Sequence, residues 1–148
     1  MTRGRRFALI AVAGGVAVLG AAAVALREPL LERWWLHRLE SQDPEAQRTA
    51  AEGLGRIGAL RAIAPLLAKT RDPHHGYMAV HTAAIGSLAM IVARRGKAAS
   101  PFLIEALEHE TDRSAREVAS ALLRVAEAPP GTPVREELLQ DTFILERH

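Results

Sequence analysis

Three blocks of this 148-residue chain align on one another at a spacing of 34 residues, and that register constrains the fold more than any other feature. The first block is Ala50-Ala51-Glu52-Gly53-Leu54-Gly55-Arg56-Ile57. It lies over Ala84-Ile85-Gly86-Ser87-Leu88-Ala89-Met90-Ile91 and over Val118-Ala119-Ser120-Ala121-Leu122-Leu123-Arg124-Val125. Leu54, Leu88 and Leu122 coincide, as do Ile57, Ile91 and Val125. Gly53, Ser87 and Ala121 coincide too, small residues where a neighbouring helix can come close. Apolar positions at i, i+3, i+4 and i+7 make each block one face of an amphipathic helix.

A second helix follows each of the first two blocks. Ala64-Pro65-Leu66-Leu67 matches Ser100-Pro101-Phe102-Leu103, with proline in the first turn, where its missing N–H costs nothing. Gly58 and Gly96 are expected to end the preceding helices in the left-handed conformation. Asp43 caps the first block ahead of Pro44, and Thr111 or Asp112 caps the third. Helix pairs recurring every 30–40 residues or so define an α-solenoid. The expected fold is all-α, a short solenoid of about three helix pairs over residues 27–127. Residues 30–40 read as the second helix of an incomplete leading repeat. A break at Ala128-Pro129-Pro130-Gly131-Thr132-Pro133 separates the stack from a last amphipathic helix over 134–146. That helix, in segment 128–148, either caps the solenoid or docks on a partner as a tethered peptide.

Ahead of the repeats stands a segment of different character. Residues 7–26 are twenty consecutive positions without a charge, preceded by a basic tail, 1–6, carrying Arg3, Arg5 and Arg6. A helix of that length spans roughly 30 Å, the thickness of a bilayer core. The expected arrangement is a single transmembrane signal-anchor, with the N-terminus in the cytoplasm and the repeats on the far side, the periplasm of a bacterium. A cleaved signal peptide and a free periplasmic domain form the alternative, since Ala21-Ala22-Ala23 or Ala23-Val24-Ala25 offers a cleavage site. Ala13, Ala17, Ala21 and Ala25 form a small-residue stripe that would support a homodimer in the membrane. In so alanine-rich a stretch, such a stripe also arises by chance. Trp34 and Trp35 fall where interfacial tryptophans anchor membrane proteins, and equally where a domain core needs a lid.

This split explains the net charge of +2. Without Arg3, Arg5 and Arg6 the chain carries 16 basic against 17 acidic side chains, so no nucleic-acid surface is indicated. The absence of cysteine excludes disulfides, thiolate metal sites and cysteine nucleophiles.

The segment Asp43-Pro44-Glu45-Ala46-Gln47-Arg48-Thr49-Ala50-Ala51-Glu52-Gly53-Leu54-Gly55-Arg56-Ile57-Gly58 resembles a HEAT repeat, in the short bacterial form also found in phycobilisome lyases. Ala62-Ile63-Ala64-Pro65-Leu66-Leu67 fits the second helix of that repeat. The likeness covers 43–70 closely, 77–109 more loosely, and only the first helix at 111–127. The middle repeat departs from it by inserting Pro73-His74-His75-Gly76-Tyr77. The resemblance implies a binding scaffold rather than an enzyme. Lyase-like and DNA-glycosylase-like activities are implied only by fold analogy.

Sites of chemistry are scarce. His74, His75 and His81 do not have the spacing that puts two metal ligands on one helix face, so no metal and no cofactor are expected. Ser87 and His81 point in different directions from one helix. Gly53-x-Gly55-x-x-Gly58 lacks the strand that a dinucleotide fingerprint requires. Arg94, Arg95 and Lys97 read as cations complementing the end of their own helix. Glu105, Glu108, Glu110 and Asp112 read as a solvated acidic face. Solenoids commonly bind along their second helices. Those helices place Arg61, Lys69, Arg71, Glu105, Glu108 and His109 as candidate partner-binding residues. A mixed surface of this kind suits a protein partner, and the expected function is a membrane-tethered adaptor or scaffold, or an accessory subunit of a membrane complex.

Overall fold

The computed structural model describes residues 27–71 and 77–129. Segment 7–26, the stripe Ala13, Ala17, Ala21 and Ala25, the loop histidines His74 and His75, and the helix expected over 134–146 lie outside the described residues. Among the described residues, six α-helices follow in order: α1 (27–39), α2 (Pro44–Ile57), α3 (Ile63–Ala68), α4 (Met78–Arg95), α5 (Ser100–His109) and α6 (Arg113–Glu127). Among the described residues none of them is long and apolar enough to cross a membrane.

The helices sort into two layers. Helices α2, α4 and α6 are the first helices of the repeats and pack side by side, with the broadest contact between α2 and α4. Helices α3 and α5 are second helices and lie against each other. The 34-residue register is the reason for this order. Leu54, Leu88 and Leu122 take equivalent places in one continuous core, joined by Ala50, Ala84 and Ala119. Leu67 and Leu103, aligned in the second helices, reach the same core. Such a stack buries in each repeat the face that a single repeat leaves bare.

Local signals set the helix ends. The Asp43 side chain accepts the Glu45 N–H at 3.1 Å, with Pro44 at the first helical position. Of the two candidates at the third block, Asp112 is the cap, accepting the Ala115 N–H at 3.0 Å. Gly58 closes α2 at φ 66°, ψ 43°, the expected left-handed cap. Gly96 differs. Its φ is 51° but its ψ is −129°, so it leads α4 into a 3₁₀ turn, Gly96–Ala99, rather than a left-handed cap. A 3₁₀ turn, Leu60–Ala62, also introduces α3, and Pro65 is the third residue of that helix, within its first turn.

Close approach between α2 and its neighbours depends on two glycines. A Cβ at Gly55 would lie 2.8 Å from the Ser87 Cα of α4, and one at Gly53 would lie 2.5 Å from the Trp35 ring of α1. The position aligned across the repeats, Gly53, therefore accommodates an indole. Its neighbour Gly55 is where two helix backbones meet.

The basic cluster at the end of α4 has a different role from the one its sequence suggests. Arg95 Nε donates to the Gly58 carbonyl at 2.9 Å, its Nη2 to the Ile57 carbonyl at 3.4 Å, and Arg94 Nη1 to the Arg56 carbonyl. Arg94 and Arg95 thus complement the C-terminal carbonyls of α2, one repeat back. They join two repeats at the turn.

Candidate functional groove

Helices α3 and α5 are short, and the channel between them is not filled. Leu60 and Arg61 of the 3₁₀ turn, Ala64 and Leu67 of α3 and Arg71 just beyond it form one bank. Phe102, Glu105, Ala106, His109 and Glu110 form the other. The hollow has a volume of about 360 Å³. Its floor is apolar, made by Leu60, Ala64, Leu67, Phe102 and Ala106. A second hollow of about 350 Å³ shares Leu60, Arg61 and Phe102 with the first and continues to Glu28, Pro29 and Glu32 of α1. Together they make one groove across α1, α3 and α5.

Four of the six candidate residues named from sequence come together here: Arg61, Arg71, Glu105 and His109. Lys69 and Glu108 do not line the groove. Lys69 is half-buried at the end of α3, and Glu108 points to solvent beside it. Arg61 and Glu105 are exposed on opposite banks, and neither makes an ion pair among the described residues. Arg71 is already engaged: its Nη2 lies 3.3 Å from Glu110 Oε2.

Glu110 closes this end of the groove, and the solvated role expected for it is corrected by its burial. Its side chain is 5% exposed. Oε1 accepts the N–H groups of Thr111 and Asp112, both at 3.0 Å, while Oε2 faces Arg71. Its backbone carbonyl accepts Arg116 Nη1 at 2.8 Å. One residue thus ties the end of α3 to the start of α6. Asp112, likewise read as solvated, is used as the α6 cap.

Burial pushes the Glu110 carboxyl up, but the Asp112 N–H, the Arg71 guanidinium and the Thr111 N–H outweigh it. The group is held below the usual carboxylate range. A carboxylate depressed on folding contributes stability above its unfolded pKa, near ~4.3, and loses it as pH falls through the folded value. Glu110→Gln is therefore expected to cost roughly 1–3 kcal/mol at neutral pH. Urea midpoints measured at pH 7 and in acid would show the gap between variant and wild type closing as pH falls. A gap independent of pH would contradict this role.

Phe102 was not among the sequence candidates, yet it lines both hollows. A signal was available, because Phe102, Glu105 and His109 share one face at i, i+3 and i+7. Trp35 and Trp34 take opposite roles. Trp35 packs on the core against Gly53, whereas Trp34 is 49% exposed. Among the described residues no group of three or more His, Asp or Glu could hold a metal ion.

These observations define a class, an α-solenoid of stacked helix pairs with an open groove along its second helices. The chain matches the family of HEAT repeats over residues 32–139 and belongs to it. No curated protein and no solved structure matches the chain. HEAT repeats generally mediate protein–protein interaction.

Proposed function

We propose that this chain is a membrane-tethered HEAT-repeat adaptor that holds a protein segment in the groove between α3 and α5. One observation carries the reading. Arg61 and Glu105 make no ion pair among the described residues and stand on opposite banks of a groove floored by Leu60, Phe102 and Ala106. An apolar floor between opposite charges fits a peptide or helix that lays an apolar face inward and directs an acid toward Arg61 and a base toward Glu105. The groove is too mixed in charge to follow a polyanion.

The tether is supported by residues 7–26 and the arginines before them. It would hold the groove near membrane-bound partners and raise their effective concentration. A C-terminal reporter fusion with carbonate extraction tests side and anchorage together. A reporter active only in the cytoplasm would reverse the orientation.

Binding is tested by charge reversal. Arg61→Glu with Glu105→Arg is expected to abolish co-purification of the partner at an unchanged melting temperature, because both side chains are exposed. Reversal of Arg113 and Glu117, an exposed ion pair on α6 away from the groove, should leave binding intact. Equal loss from both pairs would argue against the groove.

A further inference from the structure

Helix α1 divides its charges between two faces. Glu28 and Glu32 look into the groove, beside Gly58 and Arg95. The outward face has Leu30 and Trp34 at i, i+4 spacing, 63% and 49% exposed, the largest apolar groups that α1 presents to solvent. Around them stand Arg27, Arg33, His37 and Arg38, all exposed. The Arg38 guanidinium sits 5.3 Å from the centre of the Trp34 ring. Glu40, just past the end of the helix, lines a shallow hollow with Trp34, His37 and Arg38.

We infer that the outward face of α1 rests on an anionic lipid surface, with Leu30 and Trp34 sunk to the level of the headgroups and Arg27, Arg33 and Arg38 against their phosphates. This rests on the tether proposed above, and the sequence says why a membrane is the occupant. Leu30 and Trp34 follow the uncharged run 7–26 by four and eight residues. Along a helix that is about 6 and 12 Å from its end, so the face cannot move far from the bilayer. Tryptophan at that depth is favoured because its ring is apolar and its N–H can meet polar headgroups. Arginine extends past it to phosphate while its alkyl stem covers apolar surface. Trp35 is excluded from this role because it is committed to the core at Gly53. The lipid surface thereby fixes how the domain sits, with the acidic side of α1 and the groove turned away.

Trp34 and Trp35 are the two tryptophans of the chain, so their fluorescence reads the contact directly. Full-length wild type and Trp34→Phe would be reconstituted into vesicles containing phosphatidylglycerol and lipids brominated high on the acyl chains. Wild-type emission should be quenched, and Trp34→Phe should lose most of that quenching while keeping its melting temperature. Fully zwitterionic vesicles should quench wild type less. A chain that floats with the vesicles, yet shows the same quenching in both forms, overturns the lipid contact and leaves the tether standing. Equal quenching on zwitterionic vesicles overturns the assignment to an anionic surface. Unquenched Trp34 in a concentration-dependent dimer overturns the inference in favour of a second copy. A full-length chain that fails to float overturns the tether, and the contact with it.

Discussion

A leucine in place of Gly55 is expected to unfold the repeat stack, or to leave it with less than half of its stability. The reason is geometric. The first carbon of any side chain at this position would lie 2.7 Å from the Met90 Cε, 2.8 Å from the Ser87 Cα and 2.9 Å from the Ser87 Cβ. A methionine end can swing aside, but a helix backbone cannot move without carrying its repeat with it. Overpacking costs about 1–3 kcal/mol where a core can adjust, and more where it cannot. Small domains are stable by only ~5–15 kcal/mol. Gly55→Ala makes the argument quantitative, because two effects of opposite sign meet there. Helix propensity alone would stabilise the alanine variant by about 1 kcal/mol. Separation of α2 from α4 should exceed that gain, so the alanine variant is expected to melt below wild type and the leucine variant far below both. An alanine variant more stable than wild type would show that α2 and α4 are not in backbone contact at this point.

Leu88→Ala is expected to produce the second large loss, about 2–5 kcal/mol, in the range of buried leucine truncations. Leu88 is fully buried in the middle of α4, and α4 packs on α2 to one side and α6 to the other. A cavity there weakens both interfaces, and neither can collapse without disturbing the next repeat. Leu122, in the same register, is 4% exposed on the last described helix and faces fewer repeats. The loss at Leu122→Ala should therefore be the smaller. Urea denaturation followed by circular dichroism gives both numbers, and an unchanged m-value would show that both variants still unfold as one unit.

The repeat core was legible in the sequence because it depends on periodicity. A register of 34 fixes which leucines meet, and Leu54, Leu88 and Leu122 meet as their alignment requires. The caps at Asp43 and Gly58 were legible as well, and the third was narrowed to Thr111 or Asp112, since a cap needs only its own neighbours in the chain. Contacts across repeats were not. Nothing near Arg95 in sequence indicates that its guanidinium ends at the Gly58 carbonyl, 37 residues earlier. Glu110 looked like one more acid in a polar stretch, and its burial appears only once Arg71 and the start of α6 are placed around it. The groove stands between these cases. Arg61, Arg71, Glu105 and His109 followed from the rule that second helices line the binding face. Lys69 and Glu108 met the same rule and lie outside the groove, because the helical period turns them away from the faces that carry Ala64 and Leu67 on one bank and Phe102, Glu105 and His109 on the other. Phe102 carries no charge to mark it in the sequence, although the floor of the groove it lines is apolar.

The central claim, that a protein partner lies along the groove between α3 and α5, is tested most directly by site-specific photo-crosslinking in cells. A photoreactive residue would replace Ala64 or His109, one on each bank, and Glu117 on the exposed side of α6 as a control. The groove account predicts one discrete crosslinked species of the same size from positions 64 and 109, lost when Arg61→Glu is added, and nothing at 117. A partner captured at 117 and absent from both banks of the groove would contradict it.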